Sequence, residues 1–131
     1  MAAQGGELRR HTIMRIAFAI AILATLAPAQ NWKSDWMTDF AAAQARAKAE
    51  KKDLLVNFTG SDWHVMSIKL YAEVLSKPRF LAAVQKDFVL VAIDFPKVQV
   101  GMSKELLAQN DHLMGHYSVA QLPIVLLLDA A

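Results

Sequence analysis

The sequence predicts an α/β fold with a β-α-β-α-β core and an extra helix on the N-terminal side of that core. Three apolar runs, over residues 53–58, 88–94 and 124–128, lack the alternation of half-exposed strands, which is typical of strands covered on both faces. Amphipathic segments with helical spacing separate these runs. A strand, a helix and a strand in succession pair in parallel through a right-handed crossover, so the first strand should lie beside the second.

Residues 1–29 have the pattern of a cleaved secretory signal. Three arginines within 9–15 precede an apolar run over 16–27, and an Ala-Pro-Ala cleavage pattern ends the segment. The apolar run is shorter than the roughly 20 residues that cross a bilayer, although a membrane-anchoring or buried helix is an alternative. The pattern predicts an exported protein, periplasmic or extracellular, with no membrane association after cleavage.

Composition excludes several classes of function. The chain carries a net charge of +2, but three of its 14 basic residues and one of its 12 acidic residues lie in the signal, so the remainder is neutral. Without a basic patch, no nucleic-acid partner is predicted. The 131 residues contain no cysteine, which excludes disulfides, thiolate chemistry and cysteine-ligated zinc. No cofactor is predicted.

Residues 30–52 are predicted to form a linker followed by the extra helix. The linker includes Trp36, and either Asp35 or Thr38 can cap a helix that continues to about Lys52. The apolar face of this helix is narrow and contains three residues at helical spacing, Phe40, Ala43 and Ala47. We therefore expect it to pack closely on a sheet rather than to form a site.

A strand-to-helix junction follows the first apolar run. Residues 59–62, Thr-Gly-Ser-Asp, have turn composition, and apolar residues at helical spacing then continue to Leu75. Pro78 ends this helix, and Ser76 can cap a short helix that has Pro78 in its first turn. Ser103 is predicted to cap the helix that separates the second and third strands.

These segments together resemble the thioredoxin-like family over residues 36–129. The matching residues are Leu54 to Trp63, Ser76-Lys77-Pro78, Asp94-Phe95-Pro96, Tyr117-Ser118-Val119 and Leu122-Pro123. The resemblance implies a thioredoxin-like fold over 53–131, in which the third strand runs antiparallel to the first. It also implies a cis peptide bond before Pro123, at a position that faces the active-site loop.

The resemblance also indicates which chemistry has been lost. In that family a Cys-x-x-Cys motif follows the tryptophan, and its two cysteine positions fall on His64 and Ser67 of this chain. The family's reaction needs one thiolate at a helix N-terminus and a second sulfur that resolves the mixed disulfide. Asn57 occupies the position where many members keep a carboxylate. We therefore predict no catalytic residue and a redox-inactive protein.

A binding surface remains at the same place. The exposed residues predicted to form it are Trp63, His64, Met66, Leu122 and Pro123. Such an apolar patch can bind an extended peptide or another protein, so a non-catalytic binding or adaptor role is the main interpretation. An equal alternative is that Trp63 packs on the loop and orders it. Ser–His catalysis by Ser67 and His64 is a weaker alternative, because no acid is evidently placed behind the ring.

Two other interpretations of function stay open. The chain can be an oxidoreductase by descent whose activity is lost, or the product of a truncated or decayed gene. His112 and His116 have the i, i+4 spacing that can bind a metal, but neither a nearby glutamate nor a third ligand accompanies them. The sequence favours two exposed histidines near a helix end, and no metal site is predicted.

The third strand is predicted to be an exposed edge. In the family that the chain resembles, a further strand and a helix follow this strand, whereas the chain stops at Ala131. We therefore expect the C-terminal β-strand and helix to be missing, as in a fragment. Residues 124–128 carry no charge or proline that would block strand addition, which predicts pairing with another chain.

Overall fold

The computed structural model describes residues 35–130, so the predicted signal lies outside the described residues. The elements in chain order are β1 (Trp36–Met37), α1 (Phe40–Glu50), β2 (Asp53–Thr59), α2 (Val65–Leu70), a π-helical turn (Tyr71–Leu75), α3 (Pro78–Val84), β3 (Phe88–Asp94), α4 (Lys104–His116) and β4 (Ile124–Leu128). The three predicted strands and the helices between them are confirmed. None of the helices within 35–130 is long and apolar enough to span a membrane.

The strands form one sheet in the order β1-β3-β2-β4. β2 and β3 are parallel, with Leu54 beside Val89, and β4 is antiparallel to β2, with Leu126 beside Val56. Both predicted pairings are therefore confirmed. β2 is the central strand, and its residues from Leu54 to Thr59 are buried, as expected for a strand covered on both faces.

Two hydrophobic clusters lie on opposite faces of this sheet, because successive strand residues point to opposite sides. One face packs against α1 and α4 through Phe40, Ala43, Ala47, Leu54, Val56, Phe58, Val89, Val91, Ile93, Leu113 and Val119. The other face packs against α2, the π-helical turn and α3 through Trp36, Leu55, Leu75, Leu90 and Ala92. The predicted apolar face of the extra helix is thus confirmed as core.

The structure corrects two predictions for the residues before the first long strand, namely the linker at Trp36 and the cap of α1. Trp36 does not lie in a linker, because it belongs to β1, which pairs in parallel with β3 opposite Leu90. A large apolar ring gains most by leaving water, and the sheet edge buries it to 5% exposure. The cap of α1 is neither Asp35 nor Thr38 but Asp39, whose carboxylate accepts a hydrogen bond from the Ala42 amide at 2.9 Å.

Two predicted helix caps have different outcomes. Ser103 caps α4 as predicted, since its hydroxyl accepts from the Leu106 amide at 3.1 Å. The Ser76 prediction was wrong, because Ser76 lies one residue too early and its hydroxyl donates to the Ala72 carbonyl instead. Lys77 is the capping residue of α3 and makes no side-chain cap, while Pro78 supplies the first turn.

β4 lies at one edge of the sheet, as predicted. β2 pairs along one side of it, and within residues 35–130 no strand pairs along the other side. Ile124, Leu126 and Leu128 pack against the larger cluster, whereas Val125 and Leu127 are 38% and 63% exposed on the opposite face. This edge is uncharged and apolar along its whole length.

Candidate functional site

The candidate site lies where the two central parallel strands end together. Thr59 closes β2 directly beside Asp94, which closes β3, and the Phe95 amide donates to the Thr59 carbonyl at 2.8 Å. The turn over residues 60–64 leaves the sheet at this point and leads into α2. In parallel sheets the carboxyl ends of the strands are the usual place for binding, because loops from neighbouring strands converge there.

A buried carboxylate fixes the first half of the turn. Asp94 is 3% exposed and accepts two hydrogen bonds from Ser61, one from its amide at 3.0 Å and one from its hydroxyl at 2.6 Å. The Asn110 side chain donates to the Asp94 carbonyl at 2.9 Å, which ties α4 to the same place. Hydrogen bonds to a buried carboxylate are among the stronger ones, so the turn is held firmly.

Asp62 fixes the second half of the turn. Its two carboxylate oxygens accept hydrogen bonds from the Lys97 and Val98 amides, each at 2.9 Å. Burial acts to raise the pKa of Asp62, but these hydrogen bonds outweigh it and hold that pKa below its ordinary value of 3.8. The stability that this carboxylate supplies is therefore present above pH 3.8 and is lost as the pH falls through the pKa of the folded state.

Trp63 both orders the turn and remains accessible. Its indole N–H donates to the Phe95 carbonyl at 2.7 Å, and the Lys97 ammonium lies 5.7 Å from the ring centroid. The ring packs so closely on Gly60 that a Cβ at that residue would lie 2.8 Å from two indole atoms. Even so, Trp63 is 40% exposed. The packing alternative for this residue is therefore confirmed. The exposed part of the ring leaves peptide binding as a prediction.

His64 and Ser67 face each other without forming a catalytic pair. His64 precedes α2, and its Nδ1 accepts a hydrogen bond from the Ser67 amide at 3.3 Å. Because Nδ1 accepts this bond, the ring N–H is on Nε2. The Ser67 hydroxyl is 2% exposed and accepts from the Gly60 amide at 3.2 Å. The imidazole thus caps a helix, and this geometry disfavours Ser–His catalysis.

Asn57 lies in the central strand behind this site. The side chain is 1% exposed, and no described residue donates to its Oδ1. An amide can neither accept nor release a proton in the way that a carboxylic acid does. The position therefore stays polar without the acid–base capacity of the carboxylate that the resemblance implied for it.

The structure brings the predicted binding residues to the same end of the sheet. The Leu122–Pro123 peptide bond is cis, as the resemblance implied, and Ile124 pairs with Phe58 near the end of β2. This register places Pro123 beside the start of the turn, on the antiparallel neighbour of β2. Met66 is 55% exposed in the first turn of α2.

Sequence reasoning missed two exposed apolar residues near the turn. Val65 is 74% exposed beside Met66, and Val98, whose own amide donates to Asp62, is 50% exposed. Val65 carried a signal, because it directly follows His64 in the degenerate motif. Val98 carried none, because 35 intervening positions separate it from its anchor at Asp62.

Comparisons with known proteins agree with this fold. A profile described as thioredoxin-like matches residues 35–130. The thioredoxin-related protein DsbJ of Chlamydia pneumoniae is 35% identical over 109 residues, which cover 81% of this chain and 31% of DsbJ. The disulfide bond reductase DsbH of the same organism is 29% identical over 100 residues, which cover 76% of this chain and 57% of DsbH.

A solved structure of a DsbH oxidoreductase superposes on this chain with a TM-score of 0.67 at 28% sequence identity. The match covers 72% of this chain and 65% of that chain, so this chain spans less than two thirds of each of these relatives. The turn, the cis proline and the sheet topology all lie within the matched region of the profile. The chain belongs to the thioredoxin-like family.

Proposed function

We propose that this chain is an exported, redox-inactive thioredoxin-like domain that binds an extended peptide or a segment of another protein. The contact surface consists of Trp63, His64, Met66, Leu122 and Pro123, and we call it the loop surface. One observation carries the proposal. Five hydrogen bonds hold residues 61–63 to residues 94–98 although no cysteine follows the turn. Because the turn is already ordered, little conformational entropy is lost when a peptide binds to it, which favours binding.

The chemistry of the loop surface suits a peptide in extended form. Trp63 and Met66 of the loop surface present apolar side chains to solvent, as do Val65 and Val98 beside it. The Met66 thioether can adapt to differently shaped partners. The His64 Nε2–H is a hydrogen-bond donor that no described residue uses, and a peptide carbonyl is a suitable acceptor for it. Apolar pockets flanked by hydrogen-bonding groups are the usual means of holding an extended peptide.

Export is part of the proposal and rests on the signal pattern of residues 1–29. The relationship to a disulfide bond reductase supports descent from a redox-active ancestor whose activity this chain has lost. Residues 64 and 67 would carry that activity, and here they hold an imidazole and a buried hydroxyl.

The binding test uses a fluorescein-labelled, cysteine-free peptide with alternating apolar residues, titrated against the protein and followed by anisotropy. Met66→Asp places a charge in the loop surface, and we expect it to weaken binding by at least about tenfold, because truncating or charging a central contact costs roughly 2 kcal/mol or more. Val74→Asp is the matched control, since Val74 is 41% exposed in the π-helical turn that continues the same helical segment. Its affinity should equal that of the parent.

Two results would contradict the proposal. One is an equal loss of affinity in both variants, which would mean that the peptide does not distinguish the loop surface from the rest of the helix. The other is reduction of insulin disulfides by the parent chain with dithiothreitol as electron donor, at a rate above that of dithiothreitol alone. Such a rate would show that the chain catalyses disulfide reduction, whereas the proposal states that it is redox-inactive.

A second contact is proposed at the edge of β4 that no strand covers within residues 35–130, where an extended segment of a partner chain would add to the sheet. The uncharged edge over Ile124–Leu128 supports this, because edges without charge or proline are templates for strand addition. Leu127→Lys should abolish concentration-dependent association in sedimentation equilibrium, whereas Val100→Lys, at a more exposed loop position, should not. Association that persists in Leu127→Lys would argue against the edge.

A further inference from the structure

A groove of about 340 Å³ between α1 and α4 contains two histidines outside the loop surface. His112 and His116 line it on the α4 side, and Gln44 lines it on the α1 side. Both imidazoles are exposed, and within residues 35–130 no hydrogen bond or ion pair engages either ring. Their nitrogen lone pairs are therefore available to a ligand that comes from solvent.

The two rings are arranged as a pair on one helix face. Residues four apart on a helix lie one above the other, and the ring centroids of His112 and His116 are 6.0 Å apart with the planes inclined by 23°. Imidazole nitrogens bind transition metals at about 2.0–2.1 Å, so the exposed His112 ring must turn toward His116 before one nitrogen of each ring reaches a shared ion. The helix backbone fixes the spacing before any metal arrives.

Tyr117 fixes the orientation of the second ring from the hydrophobic core. Its ring meets His116 edge-on, with centroids 4.7 Å apart and planes at 88°. The same tyrosine ring packs against Phe40 and Phe58, each with a centroid separation of 6.4 Å. A ligand side chain that packing holds in place loses less entropy on binding a metal. The helix C-terminus, where the pair lies, also favours a cation.

We propose that His112 and His116 together bind one exchangeable divalent transition-metal ion, with Cu²⁺ bound more tightly than Zn²⁺ or Ni²⁺. Imidazole suits all three ions, and the Irving–Williams order places Cu²⁺ first. The Gln44 side chain in the same groove offers an amide oxygen as a further donor, and water completes the shell. No group of three or more His, Cys, Asp or Glu side chains that could hold a metal occurs within the described residues. Two nitrogen ligands make an accessible site with open coordination positions rather than a structural one.

This site is independent of the proposed peptide binding, because it uses other residues on another helix. The sequence alone favoured two unrelated exposed histidines, since spacing says nothing about what orients the rings. The Tyr117 contact and the shared groove with Gln44 are what favour a chelating pair.

The test is calorimetric titration of the full chain with CuSO₄, with electron paramagnetic resonance to count the bound nitrogens. We expect one Cu²⁺ with two imidazole nitrogens. His112→Gln and His116→Gln should each weaken binding by about 100-fold, because the second contact is then no longer intramolecular. Both variants keep His64, so any remaining affinity reports isolated histidines.

A matched variant separates chelation from histidine content. The double substitution D111H/H112Q keeps the number of histidines but places them five residues apart, on different sides of the helix. It should bind Cu²⁺ as weakly as His112→Gln. Affinity equal to that of the parent in this variant would overturn the proposal, as would a parent chain that binds no Cu²⁺. Circular dichroism of each variant verifies that α4 is intact.

Discussion

The double substitution H64C/S67C is expected to give this chain, whose sequence holds no cysteine, a reversible disulfide and thiol–disulfide exchange activity. The side chain at residue 64 already folds back over the first turn of α2, since the His64 Nδ1 reaches the Ser67 amide at 3.3 Å. Residue 64 is partly exposed, whereas residue 67 is 2% exposed. This asymmetry suits an attacking sulfur outside and a resolving sulfur behind it.

The helix start supplies the electrostatics for that reaction. Thiols at helix N-termini have a pKa lowered to about 3.5–7.5, which raises the thiolate fraction at pH 7 by about tenfold or more over a free cysteine. The measurement is insulin reduction with dithiothreitol as electron donor. The turn that positions residue 64 is held by Asp94, Asp62 and Phe95, and none of these is altered.

The single substitution His64→Cys is the control for that experiment. It supplies the attacking sulfur without the resolving one, so it should form mixed disulfides with substrate and stop there. A double variant that folds but forms no disulfide between residues 64 and 67 would show that the junction no longer has the geometry of its redox-active relatives. In that case the firmly held turn could not be explained as the retained scaffold of a redox-active junction.

Gly60→Ala is expected to lower the free energy of unfolding by about 1–3 kcal/mol, which is the usual cost of overpacking a closely packed site. The added Cβ would lie 2.8 Å from the Trp63 indole and 3.0 Å from the His64 Cβ. The indole cannot retreat without losing its hydrogen bond to the Phe95 carbonyl. Peptide affinity should fall together with stability, because the displaced ring belongs to the loop surface.

A second glycine provides the control for this steric argument. A Cβ at Gly115 would meet no atom within 4 Å, and this residue lies inside α4. Gly115→Ala should therefore stabilise the protein by about 0.5–1 kcal/mol, as expected for alanine in a helix interior. Urea unfolding of both variants measures the difference. Equal effects at the two positions would mean that the Trp63 contact does not restrict residue 60.

H64C/S67C and Gly60→Ala test two parts of one hypothesis, that the strand-to-helix junction keeps its scaffold without its reactive groups. The junction retains what positions an active site, namely the buried strand, the anchored turn and the cis proline. It has exchanged the groups that would carry electrons or protons, at His64, Ser67 and Asn57. If H64C/S67C is active and Gly60→Ala disturbs peptide binding, the same scaffold supports both thiol–disulfide exchange and peptide binding.

The sequence by itself determined the strands, the principal helices and the absence of redox cysteines. Strands β2, β3 and β4 follow from continuous apolar runs, and such runs can be read locally because burial on both faces removes any need for alternation. The Ser103 cap is likewise a local hydrogen bond between residues three apart. The absence of cysteine is a matter of composition alone.

Tertiary structure decided the features that depend on distant partners. The strand at Trp36 exists because β3 lies beside it, and a two-residue strand has no pattern of its own. The hydrogen bond between Ser61 and Asp94 joins residues 33 apart in the chain. Tyr117 orients the His116 ring, because Phe40 and Phe58 hold the tyrosine ring in place. Such contacts form after the sheet brings chain segments together, so no local propensity encodes them.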